Sequence, residues 1–265
     1  MNNEVTHTFA ICAYGKSPYL RECIESVLEQ DRPESEVFIA TSTPSEYIES
    51  LAAEYGLPVH VNTGEHGIGQ DWNFAYSCAT GDYVTIAHQD DVYLPGYAQE
   101  AVRMLSAVPD ALIFFSDYGE LRNGVPVTEN RNLKIKRMLL RPLRDGRNAN
   151  KRWAKRRALS LGSAISCPAV TFVRASCPNP PFQTQMSCSL DWDTWEHLSR
   201  LDGSFMHSTK VLMYHRIHEE SATTELIHNN VRGKEDQEMF GRFWPTPIAR
   251  LLARAYSQSE KNNDV

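Results

Sequence analysis

Apolar and polar positions along the first third of the chain follow two alternating periods. Residues 8–14 (TFAICAY), 37–41 (VFIAT), 58–62 (PVHVN) and 83–87 (YVTIA) are short, mostly apolar runs that read as buried strands. Between them the apolar residues recur at helical spacing. Leu20, Cys23, Ile24, Val27 and Leu28 form one stripe, with Ser17 as the expected N-cap and Pro18 at the first helical position. Ile48, Leu51, Ala52 and Tyr55 form the next, opened by Thr43-Pro44-Ser45-Glu46 as a capping box and stopped by Gly56. A third helix is expected over 70–79, closed by Gly81. This alternation predicts βαβ crossovers and a mostly parallel sheet, an α/β class. Ligands of such sheets sit at the carboxyl ends of the strands, here 13–15, 41–43, 62–67 and 88–91.

Further along, the pattern predicts a helix over 95–107, a strand over 112–116 and a hairpin turn at Asn123-Gly124. A strand over 169–174 follows, then a helix over 190–201 with acids in its first turn, where the helix dipole favours them. A strand over 210–216 leads into Ile217-His218. Two helices close the chain, one near 231–243 and one after Pro245 and Pro247 carrying Ile248, Leu251, Leu252 and Tyr256. The last eight residues are expected to fray. No internal repeat or linker divides the 265 residues, so one domain is expected.

Composition narrows the class. With 42% hydrophobic and 23% charged residues the chain is a folded protein rather than a disordered one. No apolar run reaches the roughly 18 residues of a membrane-spanning helix, and residues 1–7 are polar, without the apolar region of a signal peptide; a cytoplasmic location is expected. Six cysteines lack CxxC spacing and read as buried reduced thiols. Charge is uneven. Residues 131–157 hold twelve Lys/Arg and one acid, Asp145, a local +11 in a chain of net charge −6. That asymmetry points to an anionic partner, against the plainer reading of a solvated helical face.

Three places carry candidate chemistry. Asp90 and Asp91 at a strand end offer oxygens to a hard divalent cation, or form a solvated turn. Asp191 and Asp193 flank Trp192 at a helix start, where one carboxylate could accept a proton from an attacking hydroxyl, or both could simply complement the dipole. His218 follows a strand, a place where histidines are more often structural than ligating.

Taken in order, these segments resemble family 2 glycosyltransferases of the GT-A fold. FAICAYGKSPYLRECIESVLEQ is similar to that family's opening strand and helix. GDYVTIAHQDD resembles its segment with the DxD metal motif, SLDWDTW its segment with the catalytic base, and YHRIHEESAT its segment with a metal-binding His. The resemblance spans roughly residues 7–225 and implies a Rossmann-like three-layer α/β/α domain. Within it, 1–117 would bind the nucleotide-sugar, 118–225 with the basic insert 131–157 would hold acceptor and catalytic groups, and 226–265 would form a helical tail. It implies an inverting transfer of a sugar from a nucleoside-diphosphate donor to a hydroxyl, in surface polysaccharide or glycan assembly, with Mn²⁺ or Mg²⁺ as cofactor. Carried over by position, Asp191 would be the base, and Asp90 and His218 the metal ligands. Ala13, Tyr14, Thr41, Thr43, Asp71, Asn73, His88, Gln89 and Asp90 would border the donor, and Asp91, Trp192 and Asp193 the acceptor.

Four positions depart from the family pattern. His88 replaces the first acid of DxD, Thr41-Ser42-Thr43-Pro44 stands where an acid usually reads the base, Gln70-Asp71-Trp72-Asn73 replaces a segment with Arg, and Leu190 replaces a Glu. The expected partners are a nucleotide-sugar, a glycan or lipid-linked acceptor, and an anionic membrane touched by 131–157 at its inner face; no nucleic acid is expected. Two alternatives belong to other classes. Ala87-His88-Gln89-Asp90-Asp91 resembles the "aHPDD" motif of zinc-dependent deacetylases of N-acetyl sugars, although that motif follows a first strand and here three βα units precede it. A non-catalytic module binding a nucleotide-sugar or another anion would use the basic stretch alone.

Overall fold

The short apolar runs near the N-terminus pair as parallel strands because each is followed by a helix long enough to cross back. The computed structural model describes residues 5–32, 34–218 and 231–261. Strands β1 His7–Ala13, β2 Glu36–Thr41, β3 Val59–Val61 and β4 Tyr83–His88 run side by side, joined by α1 Leu20–Leu28, α2 Glu46–Tyr55 and α3 Ile68–Cys78. The register sets Ala13 beside Thr41, Thr41 beside Val61 and Cys12 beside His88, so the carboxyl ends finish almost level.

Two helix starts differ from expectation. Helix α1 begins at Leu20 behind Tyr19, two residues late, because the Ser17 hydroxyl accepts from the Tyr19 N–H at 3.3 Å and holds a turn there instead. Helix α2 is capped by Ser45, whose hydroxyl accepts from the Ile48 N–H at 3.4 Å; Thr43 is spent on the neighbouring strand end. Gly56 stops α2 in the left-handed conformation, as its position predicts.

The remaining elements are β5 Val92–Tyr93, α4 Tyr97–Ser106, β6 Ala111–Arg122, β7 Val125–Val127, α5 Arg131–Leu139, α6 Arg152–Leu159, β8 Val170–Val173, α7 Leu190–Arg200, β9 Ser204–Ile217, α8 Val231–Gly241 and α9 Thr246–Lys261. Short 3₁₀ turns cover Arg141–Leu143 and Cys167–Ala169. Among the described residues the sheet has nine strands in the order β3-β2-β1-β4-β8-β6-β9-β5, with β7 against β6. β1 to β4, β6 and β9 share one direction; β5, β7 and β8 oppose it. Asn123 and Gly124 both take positive φ in the β6–β7 turn, the geometry a two-residue hairpin requires.

Because strand side chains alternate faces, the sheet feeds two apolar layers. Phe9, Ile11 and Ile39 pack with α1, α2 and α4; Ala10, Phe38 and Ile86 pack with α3, α6, α7, α8 and α9. The fold is therefore α/β in three layers. The basic segment 131–157 folds as the helices α5 and α6 with a 3₁₀ turn between them. No disulfide links the cysteines among the described residues; of the six expected to be buried, Cys23 and Cys167 are buried and the other four half-buried. Among the described residues no helix is long and apolar enough to cross a membrane.

Candidate active site

Strand ends leave backbone groups without ladder partners, and here short polar side chains take them up. The Gly15 N–H donates to Thr43 Oγ1 at 2.7 Å and the Thr43 N–H to Thr41 Oγ1 at 3.0 Å, tying β1 to β2. Gln89, just beyond β4, grips the residue after β1 at two points. Its Oε1 accepts from the Tyr14 N–H at 2.9 Å and its Nε2 donates to the Tyr14 carbonyl at 3.1 Å. The Tyr14 side chain is left 67% exposed, an aromatic face open above the strand ends. Asp71, in the first turn of α3, accepts from Ser42 and from Asn62 Nδ2, each at 2.7 Å, and so links the ends of β2 and β3.

The β4 end meets the β9 end. Asp90 Oδ2 lies 3.0 Å from His218 Nε2, and Arg216 Nε donates to the Asp90 carbonyl at 2.8 Å. The Arg216 guanidinium also binds Glu22 of α1 and sits 4.3 Å from the centroid of the Tyr19 ring, which in turn lies 5.0 Å from the His218 ring. Asp91 turns inward, accepting from the Arg216 N–H and contacting His215 Nδ1, both at 2.9 Å. His88 stacks on Trp72 at 4.6 Å, and its Nε2 is buried without a partner among the described residues. Burial pulls the His88 imidazole below its ordinary range against the charges of Asp91 and Asp90. Burial pushes Asp90 up, but the His218 hydrogen bond and the histidine charges around it outweigh this and hold the carboxyl below its ordinary range.

Asp191 opens α7. The turn leading into that helix is fixed by Glu235 of α8, whose carboxylate accepts from the N–H groups of Ser187 and Cys188 at 2.8 Å and Ser189 at 2.9 Å. Asp191 accepts from its neighbour's N–H, that of Trp192, at 2.6 Å and from Ser163 at 3.1 Å. Burial raises its carboxyl above the ordinary value despite those bonds and the nearby Lys136 charge.

Several of the residues expected to border the ligands turn inward. Asp91 is fully buried and Trp192 nearly so, the latter with its Nε1 on the Leu159 carbonyl at 3.0 Å, so neither faces an acceptor. Asp193 is buried against Arg242 and lines a separate 410 Å³ depression with His197 and Glu238. Asn73 grips the Phe182 peptide, donating to its carbonyl and accepting from its N–H at 3.0 Å each. Ala13 and Thr41 are buried in the strands and serve the site only through backbone and capping. Tyr19, Glu22, Arg216 and Glu235 were not anticipated; their partners lie far off in sequence.

Among the described residues no group of three or more His, Cys, Asp or Glu side chains could hold a metal. The pair Asp90 and His218 does fit a divalent cation that takes its remaining oxygens from a diphosphate, the habit of Mg²⁺ and Mn²⁺. A deacetylase zinc site is a poorer fit, because Asp91 is committed to β9. Of the ten residues of the YHRIHEESAT segment, Glu219–Thr223 lie outside the described residues.

Comparison with known proteins gives concordant matches. The model for "Glycosyl transferase family 2" matches residues 8–163, which include Asp90 and end before Asp191 and His218. An uncharacterised glycosyltransferase of Rickettsia typhi is 19% identical over 231 residues, covering 82% of this chain and 66% of that protein, just short of two thirds of its length. A mannosyltransferase of Pyrobaculum calidifontis, solved with GDP-mannose and Mn²⁺, superposes with a TM-score of 0.65 at 16% identity, over 96% of this chain and 74% of that one. Residues 1–349 of TarS from S. aureus, solved with UDP-GlcNAc, give 0.56 at 15% identity over 90% and 71%. Glucosyl-3-phosphoglycerate synthase of Mycobacterium tuberculosis, solved with Mn²⁺, UDP and glucosyl-3-phosphoglycerate, gives 0.51 at 17% identity over 81% and 73%. These likenesses establish the expected GT-A type of fold.

Proposed function

The chain belongs to glycosyl transferase family 2, and from that premise we propose that it transfers a sugar from a nucleoside-diphosphate donor to an acceptor hydroxyl with inversion. The observation that carries this reading is the meeting of Asp90 and His218 at the β4 and β9 ends.

In this reading Tyr14 offers its exposed ring to the nucleobase, and Gly15 and Thr43 frame the ribose. The unpartnered His88 Nε2 meets a ribose or phosphate oxygen. Asp90 and His218 would hold a Mn²⁺ or Mg²⁺ ion, which when bound supplies positive charge to the leaving diphosphate. Asp191 takes the proton of the acceptor hydroxyl as its oxygen bonds to the anomeric carbon and the bond from that carbon to the diphosphate oxygen breaks. The raised affinity of Asp191 for protons suits a base, since it lies nearer the operating pH than an ordinary carboxylate. The same property makes transfer fall as pH drops through the elevated value. Free thiols fit a reducing compartment, and a cytoplasmic site of glycan assembly, with a glycan or lipid-linked acceptor, completes the proposal.

Asp191→Asn tests it. The variant is expected to keep Mn²⁺-dependent binding of a nucleoside diphosphate in calorimetry while transfer drops by about 10²–10⁴. Transfer at the wild-type rate would remove Asp191 as the base. Nucleoside-diphosphate binding that survives in Asp90→Ala, with and without Mn²⁺ alike, would remove the metal site.

A further inference from the structure

The basic segment is not one uniform surface. Four of its twelve cations turn inward: Lys136 to the Tyr118 hydroxyl, Arg137 to Asp117, Lys155 to the carbonyls of Leu201 and Gly203, and Arg156 to Glu196. Six others, Arg131, Arg141, Arg144, Lys151, Arg152 and Arg157, are exposed and have no carboxylate partner among the described residues. Asp145, the one acid of the segment, is taken by Arg147.

Large apolar side chains stand in water among those cations. Ile135 is 41% exposed, Met138 50% and Trp153 60%. Ile135 and Met138 are three residues apart on α5 and share a face with Arg131; Trp153 and Arg157 share a face of α6 in the same way. Helix α9 repeats the composition, with Ile248 and Leu251 exposed beside Arg250 and Arg254. A face that only needed solvation would gain nothing from these residues. A phosphate-binding groove for nucleic acid would use the cations but leave Ile135 and Met138 in water. An anionic bilayer satisfies both sets, because cations meet lipid phosphates while Trp and aliphatic groups enter the headgroup boundary.

We propose that the outward face of α5 and α6 docks on an anionic lipid bilayer. The opposite side of α5 packs inward, with Lys136 donating to the Tyr118 hydroxyl of β6, and a bilayer on the outward face would bring a lipid-linked acceptor hydroxyl to the same side of the molecule. This last consequence, delivery of a lipid-linked acceptor hydroxyl, rests on the transfer reaction proposed above; the docking itself does not.

Flotation of the full chain with phosphatidylcholine vesicles and with vesicles rich in phosphatidylglycerol, at low and high salt, reads the docking. The protein is expected to float with the anionic vesicles at low salt and to stay behind with the neutral ones. Replacing Arg141, Arg144, Lys151 and Arg152 by Gln is expected to weaken partitioning by about fivefold per charge. Trp153→Ala combined with Met138→Ser is expected to weaken it by about tenfold. Circular dichroism and nucleoside-diphosphate binding should stay at wild-type levels in both variants, since the substituted side chains are exposed and outside the crevice. Failure to float on anionic vesicles at low salt, or equal flotation on neutral ones, overturns the proposal. So does tight, salt-sensitive binding of a single-stranded oligonucleotide that the Trp153 variant leaves unchanged while lipid binding is absent; that result assigns the face to nucleic acid. Neither overturning result touches the Asp191→Asn outcome, which judges the reaction separately.

Discussion

Around β1 to β4 the side chains leaving the sheet are mainly apolar and fully buried, Phe9, Ile11, Ile39 and Ile86 among them. Around β6, β9 and α7 the interior instead carries Asp117 against His207 and Arg137, Glu196 against Arg156 and Arg200, and Asp236 beside Ser189. The first half is held by burial, which is non-directional and forgiving of detail. The second half is held by groups that cost several kcal/mol each when their partners are missing, so its geometry is fixed pair by pair. The groups assigned to chemistry sit where these two kinds of order meet, at the β4–β9 junction and the start of α7.

Substitutions in each half sharpen that contrast. The largest effect is expected in the apolar half: Phe9→Ala empties a fully buried site packed on Tyr93 and Tyr97 and should lower unfolding free energy by about 3–5 kcal/mol in urea titrations. Equal stability in that variant would mean the first layer is not held by packing. The polar half should show itself through pH. Burial pushes Asp236 up to about 6, opposed by the Arg232 charge and the Ser189 hydrogen bond. The folded state then holds the proton more tightly than the unfolded one, so stability falls as pH rises from about 4 to about 6 and is level above. Asp236→Asn should abolish that slope and leave the variant more stable than wild type by about 3 kcal/mol at neutral pH; parallel pH profiles for the two proteins would refute the assignment. The smallest effect belongs to Ser45→Ala, which removes the α2 cap and should cost about 0.5–1 kcal/mol in the same titration. A null result there would place the burden of α2 on its buried face alone.

The same contrast explains what was readable in the chain. Strands β1 to β4 and helices α2 and α3 were legible because their signals are local: apolar runs, stripes at helical spacing, and Gly56 as a stop. The Asn123-Gly124 turn was legible for the same reason. Strand β5 is only two residues long and exists because Val92 and Tyr93 pair with Tyr214 and Met213, which no local pattern announces. Strand β9 begins six residues before its expected start, because its first part pairs with β6 across bulges rather than alternating cleanly.

At the site, Asp90, His218 and Asp191 could be singled out by type and resemblance. Their supports could not. Asn73 and Gln89 look like polar residues free to touch a ligand, yet their peptide partners lie 109 and 75 residues away. Trp192 and Asp193 are both buried at the start of α7, and the sequence does not say which residues of a helix start turn inward.

Under the proposed reading, the two-point hold of Gln89 on Tyr14 would couple distant tasks mechanically. Gln89 immediately precedes Asp90, so a shift of the cation-side loop would pull on the peptide that aims the aromatic platform. Recognition of the base and accommodation of the charged linkage would then travel together, like opposite jaws on one hinge pin, and a ligand lacking either end should leave both jaws slack.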